Sequence, residues 1–472
     1  MMKFLKKIWL ISFIIPSANA QFSAQKIAPI HEHISNLAAQ NEFSGIVLIT
    51  DEEGRVIFNQ GYGYADHLNK LPHTDQTKYA LCSVSKQFTA MIILILDQEG
   101  KLSVHDPIQK YLPEFMHTQV TIYQLLTHTS GLPRDFYDPK IYVPDAITNA
   151  PYLLDWSKQL GWKILDDVMP LHYALQLEST PGEKFCYSNA GYNLLSKIIE
   201  VVDNQSYSES LQRRIFNSLE MTNSRGTTIH EELAQEQHGS GVLSFRFADI
   251  LGESLGLGDG TIVSTAQDLL KWHLALTKSL LLDKEHYELM WKPNLENYAC
   301  GWEISKVCMG DREEKTIGHN GAWNYFSTNI IRFADSKACI IALATSGPWS
   351  TDFVTKIIAT QMIGNGDEVY PYRIKPMNVP FEDMKQFEGT YENIVEGEKK
   401  CWEIVASEQG SLLVYPKGEG LCIQILPSSP YEWFSNVTDL VCIFERNEDE
   451  KVHQIQVKST DDTFILLKQN IS

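Results

Sequence analysis

Ser83-Val84-Ser85-Lys86 sets a hydroxyl and an amine three residues apart, a spacing that brings both onto one face of a helix. Alone the pattern says little: Ser23 to Lys26 has the same form, and a serine at a helix start commonly serves as an N-cap. A second element, Tyr187-Ser188-Asn189, stands in the turn-rich stretch PGEKFCYSNAGYNLL. A phenol beside a lysine ammonium can take the proton from a serine hydroxyl, and the Asn189 carboxamide can hold both Lys86 and a substrate carbonyl. Tyr391-Glu392-Asn393 repeats that pattern near the C-terminus, where a strand residue and a turn are the plainer reading. The third element, His319-Asn320-Gly321, is the only H-x-G in the chain. On a strand edge Gly321 admits a substrate closely, and the next backbone N–H, that of Ala322, can donate to an oxyanion. A lone strand histidine is otherwise a hydrogen-bonded structural residue. The ordered set of three is a much stronger signal than any one of them.

The elements that must hold these residues follow from the hydrophobic pattern. GIVLIT from Gly45 and RVIFNQGYGYA after the Asp51–Gly54 turn predict a hairpin. Residues 83–99 predict a helix buried on most sides and ended by Gly100. Helical patterns dominate from about 103 to 290, punctuated at THTSGLP, STPGEKF and GLGDGTIVST. Strand-like runs return as ACGWEISKVCM, KTIGHNG, FSTNIIRF and ACIIALAT, which suits an antiparallel sheet closed by distant chain segments. Residues 364–380, rich in proline and glycine, read as a linker. Beyond them short β runs recur with turns between, predicting a small all-β barrel or sandwich.

The 472 residues, 43% of them hydrophobic, suffice for two domains. A net charge of -19 argues against a nucleic-acid or anionic-membrane partner. Lys3, Lys6 and Lys7, the apolar run Ile8–Ile15 and Ala18-Asn19-Ala20 have the form of a secretory signal peptide cut near Ala20. Gln21 rather than Cys follows the cut, which speaks against lipid modification, and the apolar run is too short for a membrane anchor. Eight cysteines form no metal-ligand cluster; Cys82 and Cys186 flank the motifs, either as neighbours or as two small buried hydrophobes.

The motifs and their surroundings resemble the serine hydrolases of the class C β-lactamase and penicillin-binding type, including D-aminopeptidases, DD-carboxypeptidases and family VIII esterases. CSVSKQFTAM, GKLSVHDPIQKYLPEF, TIYQLLTHTSGLP, TPGEKFCYSNAGYNLLSKIIE, LEMTNS, GDGTIVSTAQDLLKW, ACGWEI and GHNGAW fall in family order between about 31 and 363. The resemblance implies an α/β fold, a β-lactamase-like antiparallel sheet flanked by helices with a helical region. It implies Ser83 as nucleophile, Lys86 as its activating partner, Tyr187 as general base then acid, and Asn189 as a substrate-orienting amide. The backbone N–H groups of Ser83 and Ala322 would form the oxyanion hole, His319 and Gly321 would meet substrate, and no metal or organic cofactor would be needed. The wider superfamily carries S-x-x-K, S-D-N and K-T-G; here tyrosine stands in the second motif and His319 replaces the lysine of the third. A lysine ammonium suits a substrate carboxylate, whereas an imidazole mostly donates one hydrogen bond. Efficient penicillin hydrolysis is therefore the less expected use.

His128 in LLTHTSGLP reads first as a turn residue, and Asp259 and Ser264 as shapers of a loop under the site. Trp323, Tyr325, Tyr142, Tyr152, Trp156 and Trp162 are candidates for cleft lining or for core packing. MKQFEGTYEN is similar to the opening of lipocalin-like domains that follow some D-aminopeptidase-type enzymes. The expected organisation is a leader (1–20), a catalytic domain (21–363), a linker (364–380) and a C-terminal β-barrel-like domain (381–472). The expected function is an exported hydrolase of an amide or ester, on a small-molecule or peptide substrate with a D-amino acid or peptidoglycan-like group. The alternatives are a broad carboxylesterase or weak β-lactamase, and a catalytically silent binder of cell-wall fragments.

Overall fold

The structure is a computed structural model that describes residues 26–39, 42–66, 69–134, 169–226 and 258–363, except 171, 310–311, 324–325 and 346–349. It also describes the strand pair 237–238 and 241–242, and 377–469 except 396–397, 408–409, 417–422, 436–440 and 459–462. The expected leader, Tyr142, Tyr152, Trp156, Trp162, Tyr325, the side chain of Trp323 and residues 364–376 of the expected linker lie outside the described residues.

Helix α1 (Ile27–Ala39) precedes a hairpin of β1 (Gly45–Thr50) and β2 (Val56–Tyr62). The helical part then supplies α2 (Lys86–Gln98), α3 (Ile122–Leu126), α4 (Asn189–Asp203) and α5 (Ala266–Thr277). Strands β3 (Glu303–Met309), β4 (Arg312–Trp323), β5 (Phe326–Phe333) and β6 (Cys339–Ala344) and helix α6 (Ser350–Ile363) follow. The sheet runs β3-β4-β5-β6-β1-β2, every pair antiparallel, so the N-terminal hairpin closes against the last strand through Gly45–Ala344 to Thr50–Cys339.

Both faces of the central strands are covered. Ile46, Leu48, Ile341 and Leu343 enter the core shared with α2, α4 and α5, while Val47, Ile49, Ile340 and Ala342 enter a second core under α1 and α6. That is why GIVLIT and CIIALA are continuous apolar runs rather than alternating ones. Helix α2 is buried from Lys86 to Leu96, including three polar side chains at its first turn, Lys86, Gln87 and Thr89.

Two helices of this core converge at their N-termini and are clamped at their C-termini. Lys86 opens α2, Asn189 opens α4, and their side chains meet at 2.8 Å. At the far end the buried Arg214 guanidinium donates to Asp203, the last residue of α4, and at 2.9 Å to Glu99, which caps α2.

The C-terminal part folds separately as a closed antiparallel barrel: β7 (Gly389–Val395), β8 (Glu398–Ser407), β9 (Ser411–Pro416), β10 (Ile423–Pro427), β11 (Glu432–Phe434), β12 (Val441–Arg446), β13 (Val452–Lys458) and β14 (Thr463–Lys468). Trp433, Phe387, Trp402, Tyr391, Phe444 and Ile404 pack its interior. Tyr391 of the second Y-x-N donates inside this barrel to the Phe387 carbonyl, 2.7 Å away, so that motif is structural. Among the described residues no helix is long and apolar enough to cross a membrane.

Candidate active site

Ser83 lies inside a 3-10 turn, Cys82–Ser85, whose N-cap is Leu81 and which has no side-chain cap. Its hydroxyl is therefore spared for Lys86 Nζ, which donates to Ser83 Oγ at 3.1 Å. The capping reading of the motif fails also at Ser85, whose Oγ accepts from the Ile262 N–H instead. Cys82, just before Ser83, is held at φ +50°, a conformation costly for a residue with a Cβ. The turn is pinned by Leu81, whose N–H donates to the Ile262 carbonyl and whose carbonyl accepts from Thr328 Oγ1 at 2.7 Å.

Lys86 is fully buried, yet its ammonium finds three acceptors: Ser83 Oγ, Asn189 Oδ1 and the Asp259 carbonyl, the last two at 2.8 Å. A buried cation needs such a shell. Asp259 thus serves through its backbone, while Ser264 lies buried against Ser224.

The loop that carries Tyr187 is built on the THTSGLP loop. Glu178 N–H donates to the Gly131 carbonyl, Gly182 N–H to Thr129, Cys186 N–H to His128 and Asn189 N–H to Arg134. Ser188 caps α4 by accepting from Gly191 N–H and anchors itself by donating to the Pro133 carbonyl. Gly131 has to be glycine: it sits at φ +79°, where a Cβ would meet the Ser179 carbonyl at 2.1 Å.

Tyr187 is ringed by aromatic and cationic groups. His128 lies 4.2 Å away between centroids, Tyr298 and His319 each 6.2 Å, Lys86 Nζ 4.9 Å and the Arg134 guanidinium 5.0 Å from its ring. His128 is buried, and its Nδ1 accepts from the Ser188 N–H at 3.0 Å. Burial first, then the Lys86 and Arg134 cations, keep it well below its ordinary pKa and hence neutral.

His319 is 2% exposed, and both of its nitrogens are engaged within the protein. Nδ1 lies 2.5 Å from the Asn320 carbonyl, which can only accept, so Nδ1 carries the proton and Nε2 accepts from Tyr298 Oη at 2.9 Å. Burial, then Lys86, lower its pKa to about 3. The third motif therefore presents a neutral ring turned towards Tyr298. Asn320, on the opposite face of β4, donates to Asp352 of α6, a carboxyl raised to about 7 mainly by burial.

Gly321 comes against the Cys82–Ser85 turn: a Cβ there would meet Leu81 O at 2.5 Å and Ser83 N at 2.9 Å. Strand β3 stops pairing with β4 at Gly318, so 319–323 extend beyond it beside Ser83. The structure thus gathers Ser83, Lys86, Tyr187, Asn189, His319 and Gly321 in one place. Such an arrangement can deprotonate a hydroxyl beside a strand edge that offers backbone donors.

Tyr298, Arg134 and the grip of His128 are site features that motif spacing does not single out; the only signal for Tyr298 is its place just before ACGWEI. Cys82 and Cys186 bond elsewhere, to Ala80 O and Ser179 Oγ, and the described cysteines are all free. No three His, Cys, Asp or Glu residues among those described gather as a metal site.

Residues 30–361 match the protein family described as Beta-lactamase. Penicillin-binding protein 4* of Bacillus subtilis (strain 168) is 28% identical over 334 residues, covering 65% of this chain and 69% of that protein. Protein flp of Staphylococcus aureus (strain N315) is 28% identical over 352 residues, covering 71% of this chain and 65%, just under two thirds, of the relative's own length. Among solved structures, an octameric penicillin-binding protein homologue from Pyrococcus abyssi superposes with a TM-score of 0.62 at 21% identity, over 93% of this chain and 99% of its own. The D-amino acid amidase of Ochrobactrum anthropi SV3 does so with 0.58 at 21% identity, over 72% and 97%. At these identities the two superpositions establish the fold.

Proposed function

The chain belongs to the beta-lactamase family of serine hydrolases, and from that premise we propose that it cleaves an amide or ester of a D-amino acid or peptidoglycan-like compound through an acyl-enzyme on Ser83. The observation that carries this reading is the three-way bonding of Lys86, which meets Ser83 Oγ and Asn189 Oδ1 at once.

Tyr187, assisted by Lys86, takes the Ser83 proton as Oγ attacks the substrate carbonyl, and the N–H groups of Ser83 and Ala322 receive the oxyanion. The proton passes to the leaving amine or alcohol. A water, deprotonated the same way, then releases the acid and restores Ser83. Asn189 orients the substrate amide, and Gly321 supplies the closeness that lets β4 flank it.

The buried, neutral His319 supports the choice of substrate. A ring whose two nitrogens are occupied provides no cation for the carboxylate of a β-lactam, so penicillin is at best a slow acylating agent. The same feature favours a second reading, a broad carboxylesterase, because a simple ester needs no such anchor. Faster turnover of D-amino acid amides than of aryl esters would select the peptidase reading, and the reverse order the esterase.

Residues 1–20 support export, with the mature chain beginning at Gln21; N-terminal sequencing of protein recovered from outside the cytoplasm checks this. The deciding test of the activity is mass spectrometry after exposure to a fluorophosphonate and, separately, to a penicillin probe. Label on Ser83 that is absent from Ser83→Ala is expected. A wild-type protein that takes no label and turns over neither amide nor ester would leave a silent binding protein as the better account.

A further inference from the structure

His128 meets Tyr187 and both of its chain neighbours. Its carbonyl accepts from the N–H of Cys186, the residue before Tyr187, at 2.8 Å. Its Nδ1 accepts from the N–H of Ser188, the residue after, at 3.0 Å. Its ring lies against the phenol with centroids 4.2 Å apart. One residue thus holds both peptide neighbours of the tyrosine and one face of its ring.

The local structure is arranged around this grip. His128 sits at φ +55°, a left-handed conformation that a residue with a Cβ adopts at a cost. The bond from Ser188 requires a lone pair on Nδ1, so the proton resides on Nε2, and that atom is buried without a hydrogen-bond partner. A turn-filling residue needs none of this: an asparagine would suit the left-handed backbone better, and an apolar residue would leave no orphaned donor. Tyr192, Tyr298 and Phe185 close the cage around the ring, with Lys86, His319 and Arg134 as the charged or titratable groups nearby.

We propose that His128 is the positioning residue for the base Tyr187, fixing the phenol against Lys86 by holding the backbone on both sides of it. The proposal rests on the hydrolase reading of this site. It assigns His128 no contact with substrate; its effect passes through Tyr187. Misplacing a base by a fraction of an ångström lowers the rate of proton transfer while leaving substrate binding largely intact.

The test compares His128→Asn, whose Oδ1 takes the place of Nδ1 and which tolerates positive φ, with His128→Gln, whose oxygen is one atom farther out, and with His128→Leu. Turnover of a p-nitrophenyl ester, its pH profile and the fluorophosphonate labelling rate are measured on the full chain, alongside thermal unfolding. The expected result is kcat for the Asn variant within about 5-fold of wild type with the same pH profile, and a fall of about 100-fold or more for Gln and Leu with KM changed less than about 3-fold. If the Leu variant does not fold, the Asn–Gln comparison decides. Gln behaving like Asn in rate and pH profile, or Asn losing as much as Gln, overturns the positioning role. A wild-type protein that neither turns over ester nor takes label overturns the hydrolase reading itself, and is told apart from the former by the wild-type measurement alone.

Discussion

A Cβ built on Gly321 would stand 2.9 Å from the backbone nitrogen of Ser83. The third motif and the proposed nucleophile are thus in main-chain contact, and the strand can flank Ser83 only because residue 321 has no side chain. Gly321→Ala must push β4 away from the turn, since the Leu81 carbonyl and the Ser83 nitrogen are both backbone. The expected outcome is kcat lower by about 10²-fold or more, because a backbone donor proposed for the oxyanion is displaced, with a loss of about 1–3 kcal/mol in denaturant unfolding. Wild-type kinetics in the variant would mean the strand does not border the reaction.

Cys82 supplies a second check on the same turn. At φ +50° it tolerates glycine and resists a β-branched side chain. Cys82→Gly should label on Ser83 at a rate near wild type. Cys82→Val should lose about 1–3 kcal/mol of stability and label much more slowly, as read by urea unfolding and timed fluorophosphonate labelling.

Arg214 makes a prediction far from the chemistry. Its side chain is 4% exposed and that of Asp203 1%, so removing it takes away the buried partner of Asp203 and leaves the half-exposed Arg213, at 2.9 Å, as the remaining cation. Arg214→Met should destabilise by about 1–3 kcal/mol. Asp203→Asn with Arg214→Met together should recover part of that loss, and a double-mutant cycle measures the coupling.

The acid limb of stability follows from His319. Its pKa falls from an ordinary 6.5 to about 3 on folding, so between those values the unfolded chain binds more protons than the native one. The stabilisation is present above pH 6.5 and is lost as the pH drops towards 3. His319→Gln, which can still accept from Tyr298, lacks this component. Its stability relative to wild type should therefore improve by about 3 kcal/mol between pH 7 and pH 4, measured by denaturant unfolding at the two pH values. An unchanged difference would mean that the ring is not buried neutral.

How much of this is legible in the sequence depends on how local each feature is. Ser83 and Lys86 are three residues apart on one turn, so their meeting follows from helix geometry. The buried sheet is legible in GIVLIT and ACIIALAT, because strands covered on both faces have no reason to alternate. The residues 83–99 read as one helix, whereas Cys82–Ser85 is a 3-10 turn entered through Cys82 at positive φ and the α-helix starts at Lys86; composition does not reveal that turn. His128 reads as a turn residue, and it does sit in a turn. Its hold on Cys186 and Ser188 depends on two loops lying side by side, which no spacing encodes. The same holds for Tyr298: its hydroxyl meets His319 across the start of the sheet, and that bond decides which way the imidazole faces.

The eight strands of the C-terminal part pair side by side into a closed ring, so each has a neighbour along both edges. Among the described residues, aromatic side chains pack inside it and make the module a filled bead. Exposed side chains such as Val405, Tyr415, Ile465 and Leu467 can drift in evolution without disturbing Trp433 or Phe387 inside. A bead of this kind can be refinished on the outside while its weight and outline stay constant.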